Sequence, residues 1–397
     1  MTIHWCGTGL SAIPGLRRLI KGEHTVVAWN RTVEKARETV GDLTDNIRAF
    51  DLDSLEHVLQ PNDVLVSMLP ADCHVELAQL CISKTAHFVS SSYIAPEMQA
   101  LDEAAKRAGV ALVNEVGLDP GIDHVMAHWL VADYRASQAY DAMNTVSFIS
   151  YCGGVPKYAN AFRYKFSWSP LGVLKALRSP SRSIRDFAEF NVARPWDAIT
   201  SYEAPLPVPE RFEAYPNRDS LPFMKAYGFE ETWRVKEFVR GTLRLDGWAL
   251  AWADVFKELE TLEGIDDTKR IKEMSDRFWA ENSYDEGEPD RVILCVALKA
   301  EKDDVPVYHK TYTLDAWGDV NGTAMARLVS ATVSLAVEEV LSGAFSPGVH
   351  AAPSDPKMVA RWMDTVKTQT QHLQIVDHRG REALSGPKAG IHSQNQC

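Results

Sequence analysis

The chain has no block rich in lysine and arginine: 42 basic residues face 54 acidic ones, a net charge of −12. Such a surface repels a phosphate backbone, so no nucleic-acid partner is expected. No apolar run is long enough to span a bilayer, so no membrane partner is expected either. The first residues, MTIHWCGTG, pass straight into a strand and a glycine turn and leave no room for a signal peptide. Cysteine is scarce. The six, at positions 6, 73, 81, 152, 295 and 397, form no C-x-x-C pair and no cluster of zinc-ligand spacing. These absences point to a reducing cytoplasm and to no metal. Cys6 and Cys295 fall in strand-like runs and read as small buried hydrophobes.

What is present is the composition of a soluble globular protein, 45% hydrophobic and 24% charged over 397 residues. That length exceeds one ordinary core and predicts two domains. Six short apolar runs, IHWC, TVVAW, IRAF, VLVSM, HFVSS and ALVNEV (111–116), alternate with amphipathic helices at 33–40, 53–59, 74–82 and 96–108. This repeat predicts an α/β fold, a parallel Rossmann-type sheet covered on both faces. After His124 a helix over 125–136 leads to TVSFISYCGG, read as a strand ending in a Gly-Gly turn. FVRGTLRL and RVILCVALKAE read as further strands, with a charged helical insert over 249–279 between them. A long apolar helix within 321–343 is stopped by Gly343 and is expected to pack back on the first domain. The predicted division is 1–124 plus about 322–375 for the dinucleotide domain and 125–321 for a mixed α/β substrate domain. The polar tail, 377–397, is expected to be disordered.

GTGLSA places Gly7, Thr8, Gly9 and Ala12 between the first strand and the first helix, the arrangement that lets a pyrophosphate approach the backbone at a helix N-terminus. An NAD site expects an acid at the end of the second strand. Here AWNRT offers Asn30, Arg31 and Thr32, and Arg31 can pair with a 2′-phosphate. NADP is therefore expected, with NAD as the alternative. VSMLP and SSSYIAP end the fourth and fifth strands where such sheets bind ligands. Met68, Leu69 and Pro70 would pack the cofactor, and Ser92 and Tyr93 would donate to a substrate carboxylate.

The stretch NEVGLDPGIDH (114–124) begins as the sixth strand and becomes a rigid turn at the crevice. Gly117 and Gly121 permit close backbone approach, and Pro120 stiffens the loop. Asp119 is thereby fixed beside the cofactor, and Asp123 is expected to cap the following helix. His124 has two readings, a ligand contact or a structural helix-start histidine.

SSSYIAP, NEVGLDPGIDH, SYCGGVP, YKFSWSPLGVLKALR, AYPNRDS and RGTLR occur in the order seen in the glutamate-forming saccharopine dehydrogenases, and from Gly7 to about Gly348 the chain resembles that family. The resemblance implies reversible NADP-dependent oxidation of saccharopine to L-glutamate and 2-aminoadipate 6-semialdehyde, by a homodimer. Carried over residue by residue, it implies substrate contacts at Ser92, Tyr93, Asp119, Arg218, Thr242, Leu243 and Arg244. It implies cofactor contacts at Gly9, Leu10, Asn30, Arg31, Thr32, Pro70, Leu118, Asp119, Pro120 and Ser169. Asp119 is the catalytic candidate, either moving the substrate amine's proton or holding the amine electrostatically, with Cys152 and His124 as lesser candidates. The family's fungal members carry a longer helical insert after RGTLR. Competing readings are an imine-reducing dehydrogenase for another amino-acid or carboxylated polyamine adduct, and a non-catalytic NADP(H) sensor.

Overall fold

The computed structural model describes residues 1–22, 24–262 and 267–379. Six strands alternate with helices from the N-terminus: β1 (Ile3–Cys6), β2 (Val26–Asn30), β3 (Ile47–Ala49), β4 (Val64–Ser67), β5 (His87–Ser90) and β6 (Ala111–Val113). They pair in parallel in the order β6-β5-β4-β1-β2-β3. This is the doubly wound arrangement that the short apolar runs imply, because strands covered on both faces need no alternation. The expected helix at 96–108 is broken into Pro96–Gln99 and Asp102–Ala108.

The second half builds a mixed sheet. Its strands are β7 (Thr145–Pro156), β8 (Ser181–Arg185), β9 (Ala188–Val192), β10 (Thr200–Ala204), β11 (Glu210–Pro216), β12 (Arg234–Leu245), β13 (Asp290–Lys302) and β14 (Val305–Trp317). The chain then returns to the first sheet, where β15 (Gly348–His350) pairs in parallel with β6, and ends as β16 (His372–Asp377) against β14. The second sheet thus runs β10-β11-β12-β7-β13-β14-β16. The expected division assigned residues to about 375 to the first domain; β16 belongs to the second sheet instead. Asp377 closes that strand rather than opening a tail, and residues 380–397 lie outside the described residues.

The Gly-Gly pair is not a turn. β7 runs through Gly153 and Gly154 to Pro156, and a Cβ on Gly153 would lie 2.7 Å from the Leu243 carbonyl oxygen of β12. Close strand approach, not chain reversal, is what these glycines serve. The insert is three helices among the described residues, Trp248–Ala251, Ala253–Glu260 and Asp267–Asn282. With helix Pro170–Leu177 they enclose an aromatic cluster that includes Tyr164, Trp248, Trp252 and Phe278.

The long apolar helix spans Ala324–Leu341 and is buried on most of its circumference. It packs against helix Ile13–Lys21, β4 and β5 on one side and β13 on the other, so it forms the seam between the sheets. Gly15 lets the first helix come close, its N–H donating to Ser330 Oγ at 2.8 Å. Asp290 at the start of β13 accepts from the N–H groups of Ala324 (2.7 Å) and Met325 (2.9 Å). A carboxylate here satisfies donors that the first helical turn leaves unpaired.

Candidate active site

The carboxyl ends of β1, β4, β5 and β6 face β7 and β12 across a cleft of about 710 Å³. NEVGLDPGIDH supplies its floor. The strand stops at Val113, short of the expected Val116, because Glu115 turns left-handed (φ 56°). Its carboxylate accepts from the Ile94 N–H at 2.9 Å, tying the turn to the end of β5. Gly117 N–H donates to the Pro120 carbonyl (2.9 Å) and Ile122 N–H to the Gly117 carbonyl (3.0 Å), so the loop closes on itself. The Asp119–Pro120 peptide is cis, and Gly121 has φ 148°. A Cβ on Gly121 would lie 2.0 Å from the Gly117 oxygen, so only glycine fits. Helix Ile122–Ala136 then starts with Asp123 reaching back to accept from the Gly121 N–H at 2.7 Å.

Asp119 is held in place. Its Oδ1 accepts from the Tyr93 hydroxyl at 2.8 Å and from Arg240 Nη2 at 2.7 Å. The same guanidinium nitrogen donates to Asp123 Oδ2 at 2.7 Å. Burial, reinforced by the Asp123 charge, pushes the Asp119 carboxyl above the usual carboxylate range despite Arg240. Burial would also raise Asp123, but His124 and Arg240 outweigh it and hold that group down. Asp123 is the more enclosed of the two, accepting from both the Gly121 N–H and Arg240, whereas Asp119 opens onto the cleft. Burial drives the Tyr93 phenol and the Cys152 thiol upward, so both stay neutral.

His124 takes the structural reading. Its Nδ1 lies 2.7 Å from the Tyr227 hydroxyl and its Nε2 3.2 Å from Glu115 Oε2, with the ring stacked on Phe223. It braces the turn from behind.

At the other end of the cleft Arg244 is 5% exposed, and its guanidinium carbon lies 4.8–5.5 Å from the ring centres of Tyr164, Tyr215 and Trp248. It donates to the Leu243 carbonyl at 3.1 Å and has no carboxylate partner among the described residues. Arg218, in a left-handed conformation (φ 56°), lies over the Tyr93 ring at 5.0 Å. Ser92, Tyr93, Asp119, Arg218, Thr242 and Arg244 all line this one cleft.

Leu243 does not. Side chains alternate along a strand, so Arg240, Thr242 and Arg244 share one face of β12, of which Thr242 and Arg244 line the cleft. Leu243 is fully buried on the opposite face with Val155, Phe212 and Ile293. Only its carbonyl remains for the site. Ser169 is not among the residues lining this cleft: it is exposed, and its hydroxyl caps helix Pro170–Leu177 by accepting from the Gly172 N–H. The neighbouring Trp168 lines the cleft instead, as do Asn217, Met325 and Val329. Arg240, which opens RGTLR, contacts Asp119 and Asp123 although the motif carry-over does not include it; the even spacing to Thr242 and Arg244 is the available signal.

The cofactor candidates surround the end of β1. Gly7 has φ 103°, and a Cβ there would lie 3.0 Å from the Met68 carbonyl oxygen. A Cβ on Gly9 would meet nothing within 4 Å, so the space beside the turn is open for a pyrophosphate. Thr8 N–H points at Asn30 Oδ1 (3.4 Å), and Asn30 Nδ2 donates to the Thr32 carbonyl (2.8 Å), which shapes the end of β2. Arg31, Thr32, Leu10 and Pro70 are exposed, whereas Leu118 and Pro120 are buried in the floor of the cleft. The donors and the open turn fit an NADP.

A doubly wound NADP domain facing a mixed sheet, with an arginine-lined cleft between them, defines a two-domain nicotinamide-dependent oxidoreductase. The family model for the saccharopine dehydrogenase NADP binding domain matches residues 4–113, and that for the saccharopine dehydrogenase C-terminal domain matches residues 117–371. The chain belongs to the saccharopine dehydrogenase family. It is 29% identical to saccharopine dehydrogenase [NADP(+), L-glutamate-forming] of Pyricularia oryzae, over 89% of this chain and 93% of that one. The alpha-aminoadipic semialdehyde synthase of Arabidopsis thaliana is 35% identical over 59% of this chain, which spans only 22% of that longer protein. Apo saccharopine dehydrogenase (L-Glu forming) from Saccharomyces cerevisiae superposes with a TM-score of 0.77 at 25% identity, covering 95% of this chain and 99% of that one. Homospermidine synthase from Legionella pneumophila shares the fold, with a TM-score of 0.62 at 10% identity over 95% and 91%. Among the described residues no helix is long and apolar enough to cross a membrane, and no group of three or more His, Cys, Asp and Glu could hold a metal ion.

Proposed function

We propose that the chain catalyses the reversible NADP-dependent oxidation of saccharopine to L-glutamate and 2-aminoadipate 6-semialdehyde. The observation that carries this reading is Arg244, a buried guanidinium with no carboxylate partner among the described residues, lining the same cleft as Arg218 and Asp119. A buried charge is costly unless a partner matches it. Saccharopine brings three carboxylates, one secondary amine and one primary α-amine, so its carboxylates complement the arginines of the cleft and its secondary amine complements Asp119. The relatives named for this reaction align over nearly the whole chain, which supports the same conclusion.

When bound, NADP would supply the acceptor for the hydride that leaves the ε-carbon of the lysine half, the carbon beside the secondary amine that becomes the aldehyde. Gly7, Thr8 and Gly9 would cradle its pyrophosphate, with Asn30, Arg31 and Thr32 at the ribose and 2′-phosphate. Arg218 and Arg244 hold substrate carboxylates, with Ser92 and Thr242 as neutral donors. Asp119 holds the cationic amine and takes its proton, since the amine must be neutral before it can push the hydride out. Water then attacks the iminium carbon, and the resulting carbinolamine collapses to aldehyde and free amine. Asp119 and Tyr93, 2.8 Å apart, are the groups at hand for those proton movements. A homodimer working in the cytoplasm completes the reading. The test is NADPH formation, followed by its absorbance, on adding saccharopine and NADP to the purified full chain. Saccharopine-dependent reduction that favours NADP over NAD is expected; no reduction, with saccharopine shown to bind, refutes the activity.

A further inference from the structure

Arg240 and Asp123 have no part in the steps above, yet both are buried and both converge on Asp119. One nitrogen of Arg240, Nη2, lies 2.7 Å from Asp119 Oδ1, 2.7 Å from Asp123 Oδ2 and 3.1 Å from the Tyr93 hydroxyl. That nitrogen has two hydrogens. One to each carboxylate exhausts them, which leaves Tyr93 to spend its own hydrogen on Asp119. Arg240 Nε finds no acceptor among the described residues, and the guanidinium carbon lies 4.0 Å from the centre of the Phe223 ring. The two carboxylates and that ring therefore dictate where the cation sits. Asp123 is anchored independently by the Gly121 N–H. The connection also crosses the molecule, from β12 of the second sheet to the turn that ends the first.

We infer that Arg240 and Asp123 are positioning residues that orient the Asp119 carboxylate and set its proton affinity by dividing one positive charge between two anions. The inference rests on the reading that Asp119 serves the substrate amine. The groups facing Asp119 are Tyr93 from the end of β5, Cys152 from β7, Arg240 from β12, and Asp123 and His124 from the helix that follows its turn, with Arg218 and Arg244 lining the same cleft. Tyr93 and Cys152 are neutral, and His124 acts on the pair from beside Asp123, its Nδ1 3.6 Å from Asp123 Oδ2, between Glu115 and Tyr227. Arg240 is the cation in hydrogen-bond contact with Asp119, and Asp123 is the anion that shares it. Without Asp123 the whole cation acts on Asp119 and favours its ionised form. Without Arg240, Asp119 loses the cation that contacts it while Asp123 still repels its ionised form.

The test uses the full chain with NADP bound and carboxyl-13C-labelled aspartate, the Asp119 signal being assigned by its loss in Asp119→Asn. Its titration midpoint is followed by NMR in the wild type, Asp123→Asn and Arg240→Gln, alongside the pH profile of kcat/KM for saccharopine. The midpoint is expected to fall in Asp123→Asn and to rise in Arg240→Gln, each by about one pH unit or more. The acid limb of the profile should move with it. Midpoints that stay put, or that move the same way in both variants, overturn the inference. If they diverge as stated while the acid limb stays fixed, the positioning role stands and proton transfer by Asp119 falls. Should Arg240→Gln fail to fold, the sign of the Asp123→Asn shift decides alone, because asparagine keeps the shape and the acceptor for Gly121.

Discussion

Arg240 and Arg244 stand four residues apart on one strand and one face, 3% and 5% exposed, yet their surroundings are opposite. Arg240 is matched by Asp119 and Asp123 and has no net charge left for a ligand. Arg244 has aromatic faces and one carbonyl, which solvate a guanidinium without neutralising it. Two buried arginines of like exposure thus differ in what is left to them: one is bound to the protein's own carboxylates, while the charge of the other is open to an anion from outside, a substrate carboxylate in the proposed reaction.

The comparison breaks most sharply at Asp119. Asp119→Asn keeps the shape and removes one of the two anions that share Arg240. Turnover of saccharopine should fall by about 10²-fold or more if the carboxylate moves the amine's proton. Fluorescence titration should show NADP affinity unchanged, since the glycine turn at Gly7–Gly9 is untouched. An unchanged turnover would make Asp119 a turn residue only.

Arg244→Met tests the other end. Methionine fills part of the space among the three rings but offers no charge. KM for saccharopine should rise by roughly tenfold to a hundredfold, the loss of about 1.5–3 kcal/mol from a charge-assisted contact. Arg218→Ala should act in the same direction more weakly, because Arg218 is exposed at the rim. If Arg244→Met instead lowers kcat with KM unchanged, the arginine acts in the transition state and not as a carboxylate anchor.

Arg31 lies outside the comparison and serves as its control. It is exposed at the end of β2, so a pairing with a 2′-phosphate would be partly screened. Arg31→Ala should weaken NADP by about tenfold and leave NAD affinity and saccharopine KM as they were. Equal loss for both cofactors would refute its role in choosing between them.

Much of this arrangement could be read from the chain, and the exceptions have physical causes. Short apolar runs separated by amphipathic helices identify a parallel sheet because both of its faces are covered. The 324–341 helix is readable for the same reason. The Gly153-Gly154 pair reads as a turn in the sequence because the local signature of a turn and that of a strand crowded by its neighbour are the same two residues. Only the Leu243 carbonyl, 90 positions away, tells them apart. β15 and β16 escape local reading because each is short and gains its meaning from a partner far back in the chain. Arg240 escapes local reading for a related reason: its anions lie 121 and 117 positions away. Leu243 shares its motif with cleft residues, though strand parity alone assigns it to the other face.

That parity supplies the mildest and most selective test. Thr242 lines the cleft, while Leu243 packs with Phe212 and Ile293 beneath it. Thr242→Val keeps the branched shape and removes one hydroxyl. KM for saccharopine should rise roughly twofold to tenfold, the equivalent of about 0.5–1.5 kcal/mol for a neutral hydrogen bond, with the urea midpoint nearly unchanged. Leu243→Ala should do the reverse. It opens a cavity in a fully buried cluster and should cost about 2–5 kcal/mol of stability. KM should hold, because the backbone carbonyl that accepts from Arg244 remains in place. Should Leu243→Ala shift KM as much as Thr242→Val does, the two faces of β12 are coupled through the strand itself, and the division between core and cleft drawn along it does not hold.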